Sequence, residues 1–116
     1  MITRFAGLTP TRSRAVAHGD LVFTVAVAPD PVSPSMYEQS VKVLARIDES
    51  LALCGTDKSK ILSAIVYITD IKHREAVGRV RREFFKGDPP ANTLLVITAL
   101  ADPAFLVEIE AIVPLP

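Results

Sequence analysis

Apolar positions along this chain recur with two different periods, and the changes of period mark its elements. Residues 21–28 (LVFTVAVA) form a β-prone run that is apolar at both parities, so both faces of this strand are expected to be buried. Residues 13–18 (SRAVAH) give a weaker strand closed by Gly19-Asp20, a hairpin-turn signal, and residues 1–10 give a short edge strand and turn. Three prolines in residues 29–34 (PDPVSP) enforce a loop. A helix follows. Ser35 and Glu38 fit the capping-box spacing, Tyr37, Val41, Leu44, Ile47 and Leu51 recur as one apolar stripe, and Gly55 is the expected terminator.

The period then returns to that of a strand at residues 61–69 (ILSAIVYIT), again apolar at both parities. Asp70 is positioned to cap a second helix over 71–86, with Ala76, Val77, Val80 and Phe84 as its buried stripe and Gly87-Asp88-Pro89-Pro90 as its end. Residues 93–100 and 105–113 complete the chain as two strands joined by a short turn, which reads as a β-hairpin. The predicted order is β-β-β-α-β-α-β-β, an α+β class with a mixed sheet. Two helices cover only one face of such a sheet. Because three strands are apolar on both faces, the uncovered face is expected to meet sister subunits.

Composition adds limits to this picture. The 116 residues make one domain, 1–116, and 49% hydrophobic with 22% charged residues describes a globular chain. A mean hydropathy of +0.33 is high for so small a domain, which again points to self-association. Lys+Arg and Asp+Glu both number 13, so no basic excess favours a nucleic-acid or anionic-membrane partner. The start MITRFAGLTP lacks the h-region of a secretory signal, and no apolar run approaches the ~18 residues of a membrane span. The single cysteine, Cys54, fits a reducing compartment, and a cytoplasmic location is expected. His18 and His73 show no metal-site spacing, and no cofactor motif occurs, so no cofactor is expected. His73 is expected to pack or cap at the start of the second helix. The arginines of that helix, interleaved with Glu75 and Glu83, read as a solvated face.

Several segments, in order, resemble the Rid family, also known as YjgF/YER057c/UK114. SRAVAHGDLVFT is similar to its SQAVKAGNLLFVSG segment, and DKSKILSAIVYITDI to its strand unit after the first helix. REFF, PPANTLL and VEIEAIV resemble its FF, P-A-R-[ST] and [VI]-E-[IV]-E-A-[IV] signatures. The resemblance implies a chorismate-mutase-like fold, a homotrimer with a central barrel of sheets, and small-metabolite pockets between subunits. Many members hydrolyse imines or enamines of amino acids to ammonia and a carbonyl compound. Ribonuclease labels also attach to the family, but this chain has neither a basic balance nor a His/Lys catalytic pair.

Carried over residue by residue, the resemblance gives Glu108 the water-positioning role of a general base. The arginine that holds the substrate carboxylate in imine-hydrolysing members is replaced by Asn92, an uncharged amide, while the neighbouring Ser/Thr position is kept as Thr93. The pocket tyrosine is replaced by Arg12, the Ser-Gly pair by Val25-Ala26, and a helix asparagine by Gly78. Arg12 is then a plain surface arginine, returns a guanidinium to the pocket from the opposite wall, or forms a structural salt bridge with Glu108. Glu108 and Glu110 also fit the plain alternation of a half-solvated strand. Two functions follow as expectations: an imine/enamine deaminase, or a metabolite-binding regulatory trimer that has lost the chemistry.

Overall fold

The computed structural model describes the backbone of residues 1–116 and the side chains of all of them except Leu8. Six strands and two helices follow the predicted order: β1 (Ile2–Thr9), β2 (Arg12–His18), β3 (Leu21–Val27), α1 (Met36–Leu53), β4 (Ser63–Ile68), α2 (Arg74–Phe85), β5 (Ala91–Val96) and β6 (Val107–Pro114). They make one six-stranded sheet in the order β1-β2-β3-β6-β4-β5. Every neighbouring pair is antiparallel except β4 and β5, which run parallel on either side of the α2 crossover.

The last two strands therefore do not form a hairpin. β6 inserts between β3 and β4, and β5 is left at the sheet edge. The physical reason is burial: Val107, Ile109, Ala111 and Val113 are all at most 4% exposed, which only a central strand allows, whereas β5 is exposed at most of its positions. The segment before β6 is correspondingly irregular, so β5 ends at Val96 and β6 begins at Val107, not at residues 100 and 105.

Both helices lie on one face. Val22, Ala26, Ala64, Val66, Ile68 and the four β6 residues pack there against Val43, Leu44, Ile47 and Leu51 of α1 and Val77 and Val80 of α2. The stripe on α1 is rotated from the expected one. Val41 is exposed and Tyr37 half-buried, while Gln39, Ser40, Val43 and Ser50 turn inward. Gln39 shows why: its Nε2 donates to the carbonyls of Ser33 and Ala104, and its Oε1 accepts from the Leu106 N–H, so one buried amide satisfies three loop groups. Tyr37 instead faces α2, donating to the Glu83 carboxylate at 3.0 Å with Arg79 over its ring.

The caps differ in detail from the sequence reading. Ser35 accepts from the Glu38 N–H, but Glu38 does not reach back to Ser35; its carboxylate takes the Ser33 hydroxyl, and that hydroxyl accepts the Ser35 N–H. Gly55 ends α1 at φ 79°, letting Thr56 N–H reach the Leu51 carbonyl at 3.0 Å. Asp70 caps a 3-10 turn (Ile71–His73) through the Lys72 N–H, and α2 starts only after it. His73 makes no capping bond through its side chain. No helix of the described residues is long and apolar enough to cross a membrane.

The opposite sheet face carries no layer. Strand register places Phe23 and Val25 of β3, Glu108, Glu110 and Ile112 of β6, Ile65 and Tyr67 of β4, and Thr93 and Leu95 of β5 on it. Phe23 (46%), Leu95 (43%) and Ile112 (36%) are exposed there.

Candidate functional site

β6 sets the centre of the site by simple alternation. Its odd-numbered residues from Val107 to Val113 enter the core, so Glu108 and Glu110 must point to the open face. Glu108 lies between Val27 of β3 and Tyr67 of β4, and Glu110 between Val25 and Ile65. These apolar flanks half-bury two carboxylates on a sheet.

Arg12 closes over the first of them. Its Nη1 stands 3.5 Å from Glu108 Oε2, with the carboxylate side chain 21% and the arginine side chain 43% exposed. Arg12 reaches this point because β1 bulges where it pairs with the start of β2, and Gly7 lies against the Arg12 carbonyl where any Cβ would collide. Burial pushes the Glu108 carboxyl above the ordinary carboxylate value; Arg12 pulls it back, and Glu110 pushes it further. Tyr67 donates its hydroxyl to Glu110 Oε1 at 2.7 Å, and that bond holds the phenol above its usual pKa. The result is a chain of four polar side chains, Arg12, Glu108, Glu110 and Tyr67, on an otherwise apolar face. A half-buried carboxylate with raised proton affinity can take a proton from water or orient it.

The other sequence-selected residues lie elsewhere in the protomer. Asn92 pairs with Ala64 and Glu108 with Tyr67, three residues apart on β4, so the two side chains leave opposite faces of the sheet. Thr93 pairs with Ile65 and does share the face of Glu108, but β4 stands between its strand and β6. Asn92 is not without charge nearby. Arg81 of α2 donates from Nη1 to Asn92 Oδ1, and it is half-buried, unlike exposed Arg74, Arg79 and Arg82. The solvated-face reading of the α2 arginines therefore fails at Arg81. That position turns toward β5, where burial, and then Arg82, depress its pKa.

Beside the Arg12–Glu108 pair lies a cleft of about 600 Å³, which the sequence did not disclose. Its walls come from the β1–β2 turn, the end of β3 and the middle of α1, and they bring together Arg12, Arg14 and Arg46. Arg14 Nε donates to Ser50 Oγ at 2.8 Å and its Nη2 to Glu49; Arg46 Nη1 donates to the Val27 carbonyl at 2.9 Å. One signal was present: Arg46 interrupts the buried face of α1, falling between Val43 and Ser50 and next to Ile47. Cys54 is half-buried, and burial raises its thiol pKa. Among the described residues, no group of three or more His, Cys, Asp or Glu gathers as for a metal ion.

Comparison with known proteins agrees with this architecture. The sequence signature of the Endoribonuclease L-PSP family matches residues 5–115. A RutC family protein of Haemophilus influenzae is 32% identical over 101 residues, covering 86% of this chain and 87% of that protein. Among solved structures, a YjgF family member from Neisseria meningitidis superposes with a TM-score of 0.91 at 32% identity, covering 100% of this chain and 96% of that one. A YjgF/YER057c/UK114 family member from Mycobacterium tuberculosis superposes with a TM-score of 0.90 at 27% identity, covering 99% and 100%. With nearly its whole length matched in sequence and in fold, the chain belongs to the Rid (YjgF/YER057c/UK114) family.

Proposed function

We propose that the protein is a homotrimeric Rid-type hydrolase that deaminates a small imine or enamine in a pocket between subunits. The observation that carries this reading is the separation of the site residues. Glu108 with Arg12, and Asn92 with Arg81, occupy opposite faces of one sheet. A pocket that uses both sets must take Glu108 from one subunit and the β5 wall from its neighbour. The apolar open face, with Phe23, Leu95 and Ile112 exposed, supplies the surface for that association.

In this pocket the Glu108 carboxylate accepts a proton from water as the water attacks the C=N carbon. Glu108 gives that proton to the nitrogen, and the carbinolamine expels ammonia as its hydroxyl loses a proton and the C=O bond forms. Asn92 and Thr93 hold the polar end of the substrate, and Arg81 supplies, one residue further out, the positive charge that Asn92 lacks. Arg12 partly offsets the effect of burial on Glu108 and faces the substrate's anionic group from the opposite wall.

A second reading is favoured by one contact. The Arg12–Glu108 salt bridge fits a pocket kept for binding, in which Glu108 has become structural. Purified protein supplied with 2-iminobutyrate, generated in place by an amino-acid oxidase, separates the two. Hydrolysis by the wild type, reduced roughly 10²–10⁴-fold in Glu108→Ala, supports the hydrolase. No hydrolysis by the wild type, with activity gained in Asn92→Arg, supports the binding module.

A further inference from the structure

The sheet runs short of strand partners at Glu108. Its partner on one side, Val27, is the last residue of β3. On the other side its partner is Tyr67, and β4 ends one residue later at Ile68. β6 itself begins only at Val107. A carboxylate this close to a strand end is held only as firmly as that end, because strand ends fray. The backbone of Leu106, just outside the strand, therefore matters. Its carbonyl accepts the Thr69 N–H at 3.2 Å. A regular antiparallel pair would return the Leu106 N–H to Thr69. That N–H goes instead to Gln39 Oε1 of α1, at 2.9 Å.

We infer that Gln39 is a positioning residue for Glu108: its side-chain amide replaces the missing ladder bond at Leu106, fixing where β6 begins and where Glu108 stands against Arg12. The kinetic consequence rests on the hydrolase reading above; the placement does not. Gln39 is fully buried, and every bond it makes is to backbone. Its Nε2 donates to the Ser33 carbonyl at 2.7 Å and the Ala104 carbonyl at 2.8 Å. Two acceptors on one side and a donor on the other leave the amide a single orientation. The β3–α1 loop, the β5–β6 loop and the start of β6 are thereby held at one point. An apolar side chain would fill the same space but leave the buried Leu106 N–H without a partner, and nothing would pin the strand end. The amide carries no charge, so its effect on Glu108 passes through the backbone two residues away.

Gln39→Met keeps the volume and deletes all three bonds, and the purified full chain reads the result in three ways. Hydrogen exchange should find the Leu106 amide protected in the wild type, although it precedes the strand, and about tenfold or more faster in the variant. By NMR, the Glu108 carboxyl should titrate nearer its ordinary value in Gln39→Met, since a frayed end admits water and burial is the main cause of its elevation. Its neighbours Arg12, Glu110 and Tyr67 are unaltered by the substitution. With 2-iminobutyrate, kcat should fall about tenfold or more while KM changes less than about twofold, because the β5 wall is untouched. Ile47→Ala, a cavity in the same helix, should lower stability and leave both the titration and kcat of the folded protein unchanged. An unmoved Glu108 titration in folded Gln39→Met would make Gln39 a packing residue and overturn the assignment. A freely exchanging Leu106 amide in the wild type would overturn it too, even if Gln39→Met does not fold. A moved titration in a protein whose wild type does not hydrolyse 2-iminobutyrate defeats the hydrolase alone. Wild-type hydrolysis with an unmoved titration defeats the Gln39 assignment alone.

Discussion

The two faces of the sheet are made from the same strands by alternate residues, yet they end in different conditions. On the covered face, Val22, Val66, Ile68, Ile109 and Val113 are at most 1% exposed and meet two helices. On the open face, Phe23, Leu95 and Ile112 remain exposed, and the ionisable groups Glu108, Glu110, Tyr67 and Arg12 sit among them. The covered face satisfies itself within one chain. The open face holds apolar surface that one chain cannot cover and carboxylates that one chain only half-buries. The face that stabilises the protomer and the face that holds these ionisable groups are therefore separate, and substitutions on each should report on different properties.

The largest effect on folding belongs to the covered face. Ile47 is fully buried at the centre of α1, and Ile47→Ala should cost about 2–5 kcal/mol in denaturant unfolding while leaving the open-face ion pair in place. A loss below about 1 kcal/mol would show that the two faces do not differ as described.

A smaller effect is expected from the charges of the open face. Because the folded-state pKa of Glu108 lies above its ordinary 4.5, its contribution to stability is complete below that value and is lost as pH rises through the raised pKa. Glu108→Gln should thus be no less stable than wild type at pH 7, and its advantage should vanish on acidification below 4.5. The acid limb of the proposed hydrolysis should move with the same group, since the carboxylate is the form that would accept the proton from water. It should shift to higher pH in Arg12→Gln, which loses the stabilising cation, and to lower pH in Glu110→Gln, which loses the repelling anion. Unmoved limbs in both variants would remove Glu108 as the titrating base.

Phe23→Lys should have the smallest effect on the protomer itself, within about 0.5 kcal/mol, because the side chain is 46% exposed in the single chain. Its effect on assembly should be large. The contrast with Ile47→Ala is the point of the pair.

What the sequence disclosed follows the range of the forces involved. The caps at Ser35 and Gly55 and the parity of Glu108 depend on residues a few positions apart, and all are present in the fold. Strand partners were harder. The turn 101–104 looked like a hairpin loop, but the preference of Val107–Val113 for a fully buried position moved β6 to the sheet centre. The Arg12–Glu108 contact is one of the three outcomes the sequence leaves open for Arg12, because the resemblance aligns both positions. Arg81 beside Asn92 was not, since an α2 side chain reaching β5 leaves no spacing pattern. The Arg46 cleft was least visible, being assembled from the β1–β2 turn, β3 and α1.

In the proposed assembly, copies of the chain associate through the open face, and each site takes Glu108 from one subunit and the β5 wall from its neighbour. Light scattering on the purified protein at micromolar concentration tests it most directly. The chain mass is 12.6 kDa, so the wild type should scatter as a particle about three times that mass, and Phe23→Lys as a folded single chain. A wild type that scatters as one 12.6 kDa chain would contradict the account.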